Sequence, residues 1–300
     1  MKLWILTKKK NCRFYPQRRF IEEAEKMGIE LKTVVPEDFE IVEPMQEPNS
    51  ILYKHRPVEL PDCLLPRMGS GTTYFALMLI RYLQRKGVFV LNDDTGISNA
   101  KDKLQTIQKL SEANIPIPKT ILAKFPISTR FVQKEFKFPV ILKTISGSQG
   151  KGVVLCETKN SLEDITKLIS KTANGENNII IQEFISESRG KDIRVYVLGG
   201  RAIGAMLRTS RGDKFKANFS SGGKVENYPL NPELEWLAVE SSRIVGLELA
   251  GVDILFDKNG YKVCEVNSNP GFKGLEKATG LNIPQEIFNF LQVRLKGRIK

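Results

Sequence analysis

The chain has 300 residues, with 46 Lys and Arg against 34 Asp and Glu, a formal charge of +12, and 41% hydrophobic residues. That composition describes a folded chain with room for a large core, excludes a disordered polyelectrolyte, and directs its field at anions: nucleotide phosphates, an acidic acceptor or nucleic acid. A single histidine, His55, nearly removes Ser-His-Asp, Cys-His and His-ligated zinc chemistry, and four scattered cysteines without a CxxC pair argue for reduced thiols and against a disulfide framework.

In chain order, residues 2–6 read as a buried strand, 18–27 as a helix before Gly28, and 30–35 as a second strand. Short strands are expected at 50–53 and 63–65, a helix over 72–86 ended by Gly87, and a strand over 88–91. This alternation predicts an open α/β unit over residues 1–97. A helix over 98–112 is followed by the breaker Asn114-Ile-Pro-Ile-Pro118. A smaller α+β unit is expected over 98–178, with strands at 140–144 and 153–156 around a glycine-rich turn and a helix at 162–171. The apolar strand 179–184 reads as the link into a last unit, 179–300, with strands at 193–198, 201–208, 251–256 and 261–266 and a helix at 233–245. No run approaches the ~18 apolar residues of a membrane span, and the apolar start is too short for a signal peptide. A cytoplasmic protein is expected.

The sharpest chemical signal is the hairpin from Gly251 to Asn267. Glu265 and Asn267 are two apart and share a strand face. A two-residue turn at Asn259-Gly260 would pair Asp253 with Val266, on the wrong face; a three-residue loop, 258–260, would pair it with Glu265. The second arrangement makes a hard-cation site, and the apolar strands around Asp253 and Glu265 make unpaired charge there costly.

A second signal is Lys143 followed by a turn containing Ser146, Gly147, Ser148, Gln149, Gly150, Lys151 and Gly152. Three glycines allow backbone amides to approach phosphate oxygens, although the run is neither a P-loop nor a dinucleotide fingerprint. Gln182-Glu183-Phe184-Ile185 could offer acceptors to an adenine amine and ribose hydroxyls. Arg208, Arg211, Lys216 and Asn218 form a basic cluster suited to carboxylate or phosphate oxygens. Taken singly, each has a bland reading as a turn, a strand end or a solvated loop.

Together these stretches resemble the ATP-grasp superfamily, and within it the RimK family, which adds glutamate to the C-terminus of ribosomal protein S6. The resemblance runs from about residue 66 to 289. It rests on Pro66-Arg-Met-Gly69, Asp102-Lys-Leu104, Ile141-Leu-Lys143, Gly147-Ser-Gln-Gly150, Gln182-Glu-Phe-Ile185 and Asp192-Ile-Arg194. Its most specific part is Ala250-Gly-Val-Asp-Ile-Leu255 with Glu265-Val-Asn-Ser-Asn-Pro-Gly271 and Gly274-Leu-Glu-Lys-Ala-Thr-Gly280. The resemblance implies an α/β ATP-grasp fold of α+β subdomains behind an N-terminal pre-ATP-grasp unit. It implies an acid–amino-acid ligase that makes an amide bond through an acyl phosphate.

By that resemblance Lys103 and Lys143 contact ATP phosphates, with the glycine loop as a lid. Glu183 and Phe184 lie at the adenine and Asp192 on the ribose side, while Asp253, Glu265 and Asn267 hold Mg²⁺, with Mn²⁺ as an alternative. The family's Phe-Arg-Ser-Asn stretch stands here as Phe215-Lys216-Ala217-Asn218, so a guanidinium fork and a hydroxyl are lost. Arg208 and Asn218 are expected to steady the oxyanion. The expected partners are ATP, a donor amine such as glutamate, and an acidic carboxylate acceptor resembling the ribosomal protein tail, with no membrane or nucleic acid; homo-oligomerisation is open. The rival readings are a ligase acting on a small molecule, cofactor or carrier protein, and a nucleotide-regulated RNA- or ribosome-binding module.

Overall fold

The structure is a computed structural model and describes residues 1–8, 14–43, 50–144, 152–172, 178–212, 215 and 222–297. The chain opens with a parallel sheet of order β2-β1-β6-β7. Its strands are β1 (Lys2–Leu6), β2 (Glu30–Val34), β6 (Cys63–Pro66) and β7 (Phe89–Val90). A small antiparallel sheet, β3 (Phe39–Ile41), β4 (Ile51–Tyr53) and β5 (Arg56–Pro57), lies between β2 and β6 in sequence.

Helix α1 (Tyr15–Lys26) connects β1 to β2 and α2 (Tyr74–Arg85) connects β6 to β7. The period of two sorts the strands between them. Leu3, Ile5, Cys63 and Leu65 join Phe20 and Ala24 of α1 in one core, while Trp4, Leu6 and Leu64 join Ala76, Leu79 and Leu83 of α2 in another. The α1 core is shared with the C-terminal part of the chain through Tyr196, Phe272, Phe288 and Leu291. Arg67 lies between the two parts, its guanidinium 5.7 and 5.8 Å from the Phe20 and Phe272 ring centroids.

Where the sequence predicted one helix over 98–112, the chain forms α3 (Asp94–Lys101) and α4 (Lys103–Glu112). The break is Asp102, extended at φ −87° and ψ 100°, whose carboxylate accepts from the N–H groups of Leu104 and Gln105. An aspartate competing for backbone N–H groups is a helix start, and that signal was available in the sequence.

The small sheet has order β10-β9-β11-β8 and is antiparallel. Its strands are β8 (Thr120–Lys124), β9 (Val140–Thr144), β10 (Val153–Cys156) and β11 (Asn178–Glu183), backed by α5 (Thr129–Glu135) and α6 (Lys159–Thr172). Strand β11 pairs with β9 on one side and β8 on the other, so the apolar run read as a link is an interior strand of this sheet, which extends past residue 178.

The large sheet has order β14-β13-β12-β15-β16. It comprises β12 (Lys191–Leu198), β13 (Arg201–Thr209), β14 (Lys224–Asn227), β15 (Leu249–Asp257) and β16 (Gly260–Asn267). Helix α7 (Pro232–Val245), started by the Asn231 cap and ended by left-handed Gly246, packs Leu234, Leu237 and Ala238 against Ile193, Val195, Val252 and Ile254. Helices α8 (Lys273–Thr279) and α9 (Ile283–Lys296) then return to the N-terminal core.

Candidate active site

The α7 side of the large sheet is apolar, and the alternation of strand residues puts the charged ones on the other face. Register makes neighbours of Asp192 and Arg208, of Arg194 and Asp253, and of Asp253 and Glu265. The last pair arises by neither turn that the sequence suggested. The hairpin turns over Lys258 and Asn259, pairing Asp257 with Gly260, and a bulge between Asp253 and Ile254 absorbs Cys264 as an extra residue. The bulge, not the loop length, brings Glu265 opposite Asp253.

Four of these side chains form one ionic network. Arg208 binds Asp192 through Nε and Nη2 at 2.6 and 2.8 Å and reaches Asp253 Oδ2 at 3.0 Å. Arg194 grips Asp253 with two bonds of 2.6 Å. Burial pushes the Asp253 carboxyl up, but Arg194 and Arg208 overcome it and hold the group below the ordinary carboxylate range. For Asp192 burial wins, and its carboxyl is raised despite Arg208. Burial works against the Arg208 cation, yet Asp253 and Asp192 lift its proton affinity above the ordinary guanidinium value.

Glu265 stands beside this network with a carboxylate that has no hydrogen-bond or ion-pair partner among the described residues. Asn267, opposite Gly251, donates to the Gly251 carbonyl at 3.2 Å and lies 3.5 Å from Asp253 Oδ2. No group of three or more His, Cys, Asp or Glu side chains suited to a metal exists among the described residues. Two carboxylates and one amide leave about half of an octahedral shell to other oxygens, which fits Mg²⁺ carried in with phosphates and not a free-standing metal cage.

The small sheet forms the facing wall of a cleft lined by Lys103, Lys143, Glu183, Phe184, Asp192, Arg208, Asp253 and Glu265. Lys143 Nζ donates to Gln182 Oε1 at 2.6 Å and lies 3.7 Å from the Cys264 sulfur. Glu183 Oε1 accepts from the Lys119 N–H at 2.8 Å and from Lys262 Nζ at 2.5 Å, so it ties β11 to β16 across the cleft. Lys103 enters the cleft because the Asp102 break places it first in α4. Apolar walls come from Ile141, Ile180 and Leu255, with Phe215 at the cleft too. Gly152 has φ +74° at the entry to β10. Gly147, Ser148, Gln149, Gly150, Lys216, Ala217 and Asn218 lie outside the described residues.

Lys191 and Cys264 line the cleft without a role expected from the sequence, and Arg194, which grips Asp253 beside it, stands in a motif to which the sequence assigns no role. Only Arg194, two residues beyond Asp192 on one strand face, carried a usable signal.

Two sheets closing on a cleft, with Lys143 on the small sheet, Lys103 at the start of α4 and Asp192, Asp253 and Glu265 on the large sheet, define an ATP-grasp ligase fold. Sequence and structure comparison agree. Residues 1–97 match the RimK PreATP-grasp domain and residues 100–291 the RimK-like ATP-grasp domain. A probable alpha-L-glutamate ligase of Rhodopirellula baltica is 37% identical over 98% of this chain and 72% of its own length. One of the same description from Legionella pneumophila (strain Corby) is 33% identical over 99% of this chain and 97% of its own. The ATP-grasp ligase PsnB, complexed with a phosphomimetic variant of its minimal precursor, Mg and ADP, superposes with a TM-score of 0.77 at 19% identity, over 97% of this chain and 98% of that one. The RimK domain protein ATP-grasp of Sphaerobacter thermophilus gives 0.72 at 21% identity, over 97% and 99%. The chain belongs to the RimK family, and it is an ATP-dependent ligase. The family match also covers the first sixty residues, where the sequence alone suggested little likeness.

Proposed function

We propose that the protein joins glutamate, as the amine, to an acidic carboxylate acceptor, using MgATP bound between the two sheets. The observation that carries this reading is the cleft itself, which gathers Lys103 of α4 and Lys143 of the small sheet with Asp253 and Glu265 of the large sheet. The names of the relatives support glutamate as the donor, and the charge of +12 supports an acidic acceptor.

Lys103 and Lys143 would take phosphate oxygens, with the apolar walls and Phe184 holding the base, and Asp192 would stand on the ribose side. Glu265, Asp253 and Asn267 would hold Mg²⁺, which on binding neutralises phosphate charge. Both oxygens of Asp253 are held by arginines, so loading would shift Arg194 and Arg208 toward other anions. An acceptor carboxylate oxygen attacks the γ-phosphorus and ADP leaves. The amine nitrogen then attacks the acyl carbon, the carbon–oxygen bond to phosphate breaks, phosphate departs with the electron pair, and the amine gives up a proton. Arg208, itself part of the network, and Asn218 would stabilise the oxyanion.

We also propose a cytoplasmic location, since no helix among the described residues is long and apolar enough to cross a membrane. The test of function is an ADP-release screen over amino acids and acidic or neutral acceptor peptides, with the product identified by mass spectrometry. Glutamate with an acidic acceptor should be best, and its rate should fall steeply as salt rises. A neutral best acceptor with salt-independent kinetics would overturn the acidic-acceptor reading.

A further inference from the structure

Lys143 owes its place in the cleft to a chain of hydrogen bonds that runs back through the small sheet. Register sets up the chain. Lys143 of β9 stands opposite Ile180 of β11, so Gln182 is its diagonal neighbour on the same face, and Gln182 stands directly opposite Thr120 of β8. The alternate residues Leu142, Ile179 and Ile181 turn to the other face and join the core of this sheet. Three polar side chains from three strands therefore meet in one row.

Each contact in the row fixes the next. The Thr120 hydroxyl donates to the Pro118 carbonyl at 2.7 Å. A hydroxyl has one proton, so toward Gln182 it can only accept, and it does so from Gln182 Nε2 at 2.9 Å. That turns the amide oxygen the other way, where Oε1 accepts from Lys143 Nζ at 2.6 Å. An amide flipped end for end would set its own N–H groups against an ammonium and face Thr120 with an oxygen that Thr120 has no proton to meet. Gln182 is 3% exposed, and a buried amide left unpaired is costly, so the orientation is held.

The far end of the row is anchored as well. Pro116, two residues before Pro118, accepts from the Val263 N–H at 2.7 Å. Val263 lies in β16 of the large sheet, next to Cys264, whose sulfur is 3.7 Å from Lys143 Nζ. The row is thus braced against both walls of the cleft.

What Gln182 does not bring is charge. Lys262, at the same cleft, is held by the carboxylates of Glu183 and Asp257, whereas Lys143 has no carboxylate partner among the described residues. A carboxylate at position 182 could grip the ammonium equally well, but would cancel its charge before any anion arrived. An amide fixes the ammonium and leaves its charge for a ligand.

We infer that Gln182 is a positioning residue for Lys143, and that Thr120 orients Gln182, so that an uncompensated ammonium is presented to the nucleotide phosphates. The inference rests on the MgATP site proposed above, and it moves Gln182 from the adenine, where the sequence suggested it, to the phosphate end.

The test titrates a non-hydrolysable ATP analogue with Mg²⁺ into the full-length protein by calorimetry, with adenosine as a competitor that carries no phosphate. Gln182→Glu keeps the size of the side chain and supplies the missing carboxylate; it should weaken the analogue about tenfold and change adenosine by less than about twofold. Because a new buried carboxylate also strains the fold, Thr120 provides a second reading. Thr120→Val can neither donate nor accept and should weaken the analogue about threefold, whereas Thr120→Ser, which keeps the hydroxyl, should match wild type. In a Lys143→Met background Thr120→Val should cost nothing further, since the row then has no ammonium to place. Unchanged analogue affinity in Gln182→Glu and Thr120→Val, with Lys143→Met weakened, overturns the inference and leaves the MgATP reading standing. Losses shared equally by adenosine, or persisting in Lys143→Met, overturn it too, because they mark a row that only supports the sheet. Wild-type affinity in Lys143→Met overturns the inference together with the assignment of Lys143 to phosphate, and a wild type that binds no analogue removes the MgATP reading itself.

Discussion

The two walls of the cleft handle charge in opposite ways. On the large sheet, Asp192, Arg194, Arg208 and Asp253 are cross-strand neighbours that satisfy one another, two carboxylates against two guanidiniums. On the small sheet, Lys143 faces a neutral amide and a thiol. One wall is set before any ligand arrives, so binding there must exchange one partner for another. The other keeps an ammonium with no carboxylate partner among the described residues, and an incoming phosphate would supply the counter-charge. A ligand carrying both phosphate and a cation suits both walls at once.

Breaking the preset wall should give the largest effect. Arg208 is 6% exposed at its side chain and serves both Asp192 and Asp253. Arg208→Met leaves Asp192 buried without its cation and should cost about 3–5 kcal/mol, read as a lower urea midpoint. Adding Asp192→Asn should recover much of that loss, because the stranded charge goes with it. A single variant as stable as wild type would show that the wall is not held by this network.

Glu265→Gln probes the unpartnered carboxylate on the same wall. The fold should be unaffected, as no ion pair among the described residues is lost, while turnover at modest Mg²⁺ should fall on the order of 10²-fold or more. Near-normal ligation would remove Glu265 from the metal site. The contrast with Arg208→Met, in which stability falls, separates a residue that builds the wall from one that waits for ligand.

How much of this was legible in the sequence depends on the scale of the force involved. The open α/β unit followed from the alternation of strand-like and helix-like stretches, and the charged hairpin from the period of two that puts Glu265 and Asn267 on one face. The facing of Asp253 and Glu265 was foreseen for an incomplete reason: both candidate turns assumed unbroken pairing, and a bulge at Cys264 is decided by local twist that no spacing rule reads. The small sheet's inner strand was mistaken for a link because an apolar run of six residues does not reveal which neighbours it takes. The pairing of Asp253 with two arginines depends on strands distant in sequence, and only three-dimensional register could supply it.

On the small-sheet wall, Lys143→Met should raise the KM for ATP by about tenfold and leave the unfolding midpoint near that of wild type. Among the described residues the lysine has no carboxylate partner, so its removal strands no charge there. A marked loss of stability would mean that Lys143 is structural and that the two walls are alike.

The smallest effect tests the same contact from the sulfur side. Burial pushes the Cys264 thiol up, and Lys143 pulls it partly back, so little thiolate exists at neutral pH. Carboxamidomethylation of Cys264, followed by site-resolved mass spectrometry, should therefore be slow at pH 7 and quicken by about tenfold per pH unit until the raised pKa is reached. Cys63 and Cys156, buried and pushed up to about 12 and about 11, lie outside the cleft lining and give internal references that nucleotide should not protect. MgATP should protect Cys264, since the thiol lines the cleft and the nucleotide would cover it. Lys143→Met should slow its labelling further, because removing the ammonium removes what favours thiolate. If labelling of Cys264 ignored both nucleotide and Lys143, the ammonium would not be held at the sulfur in solution. The small-sheet wall would then carry its charge elsewhere, and the contrast between a preset wall and a waiting one would need a different lysine, with Lys103 at the start of α4 the next to examine.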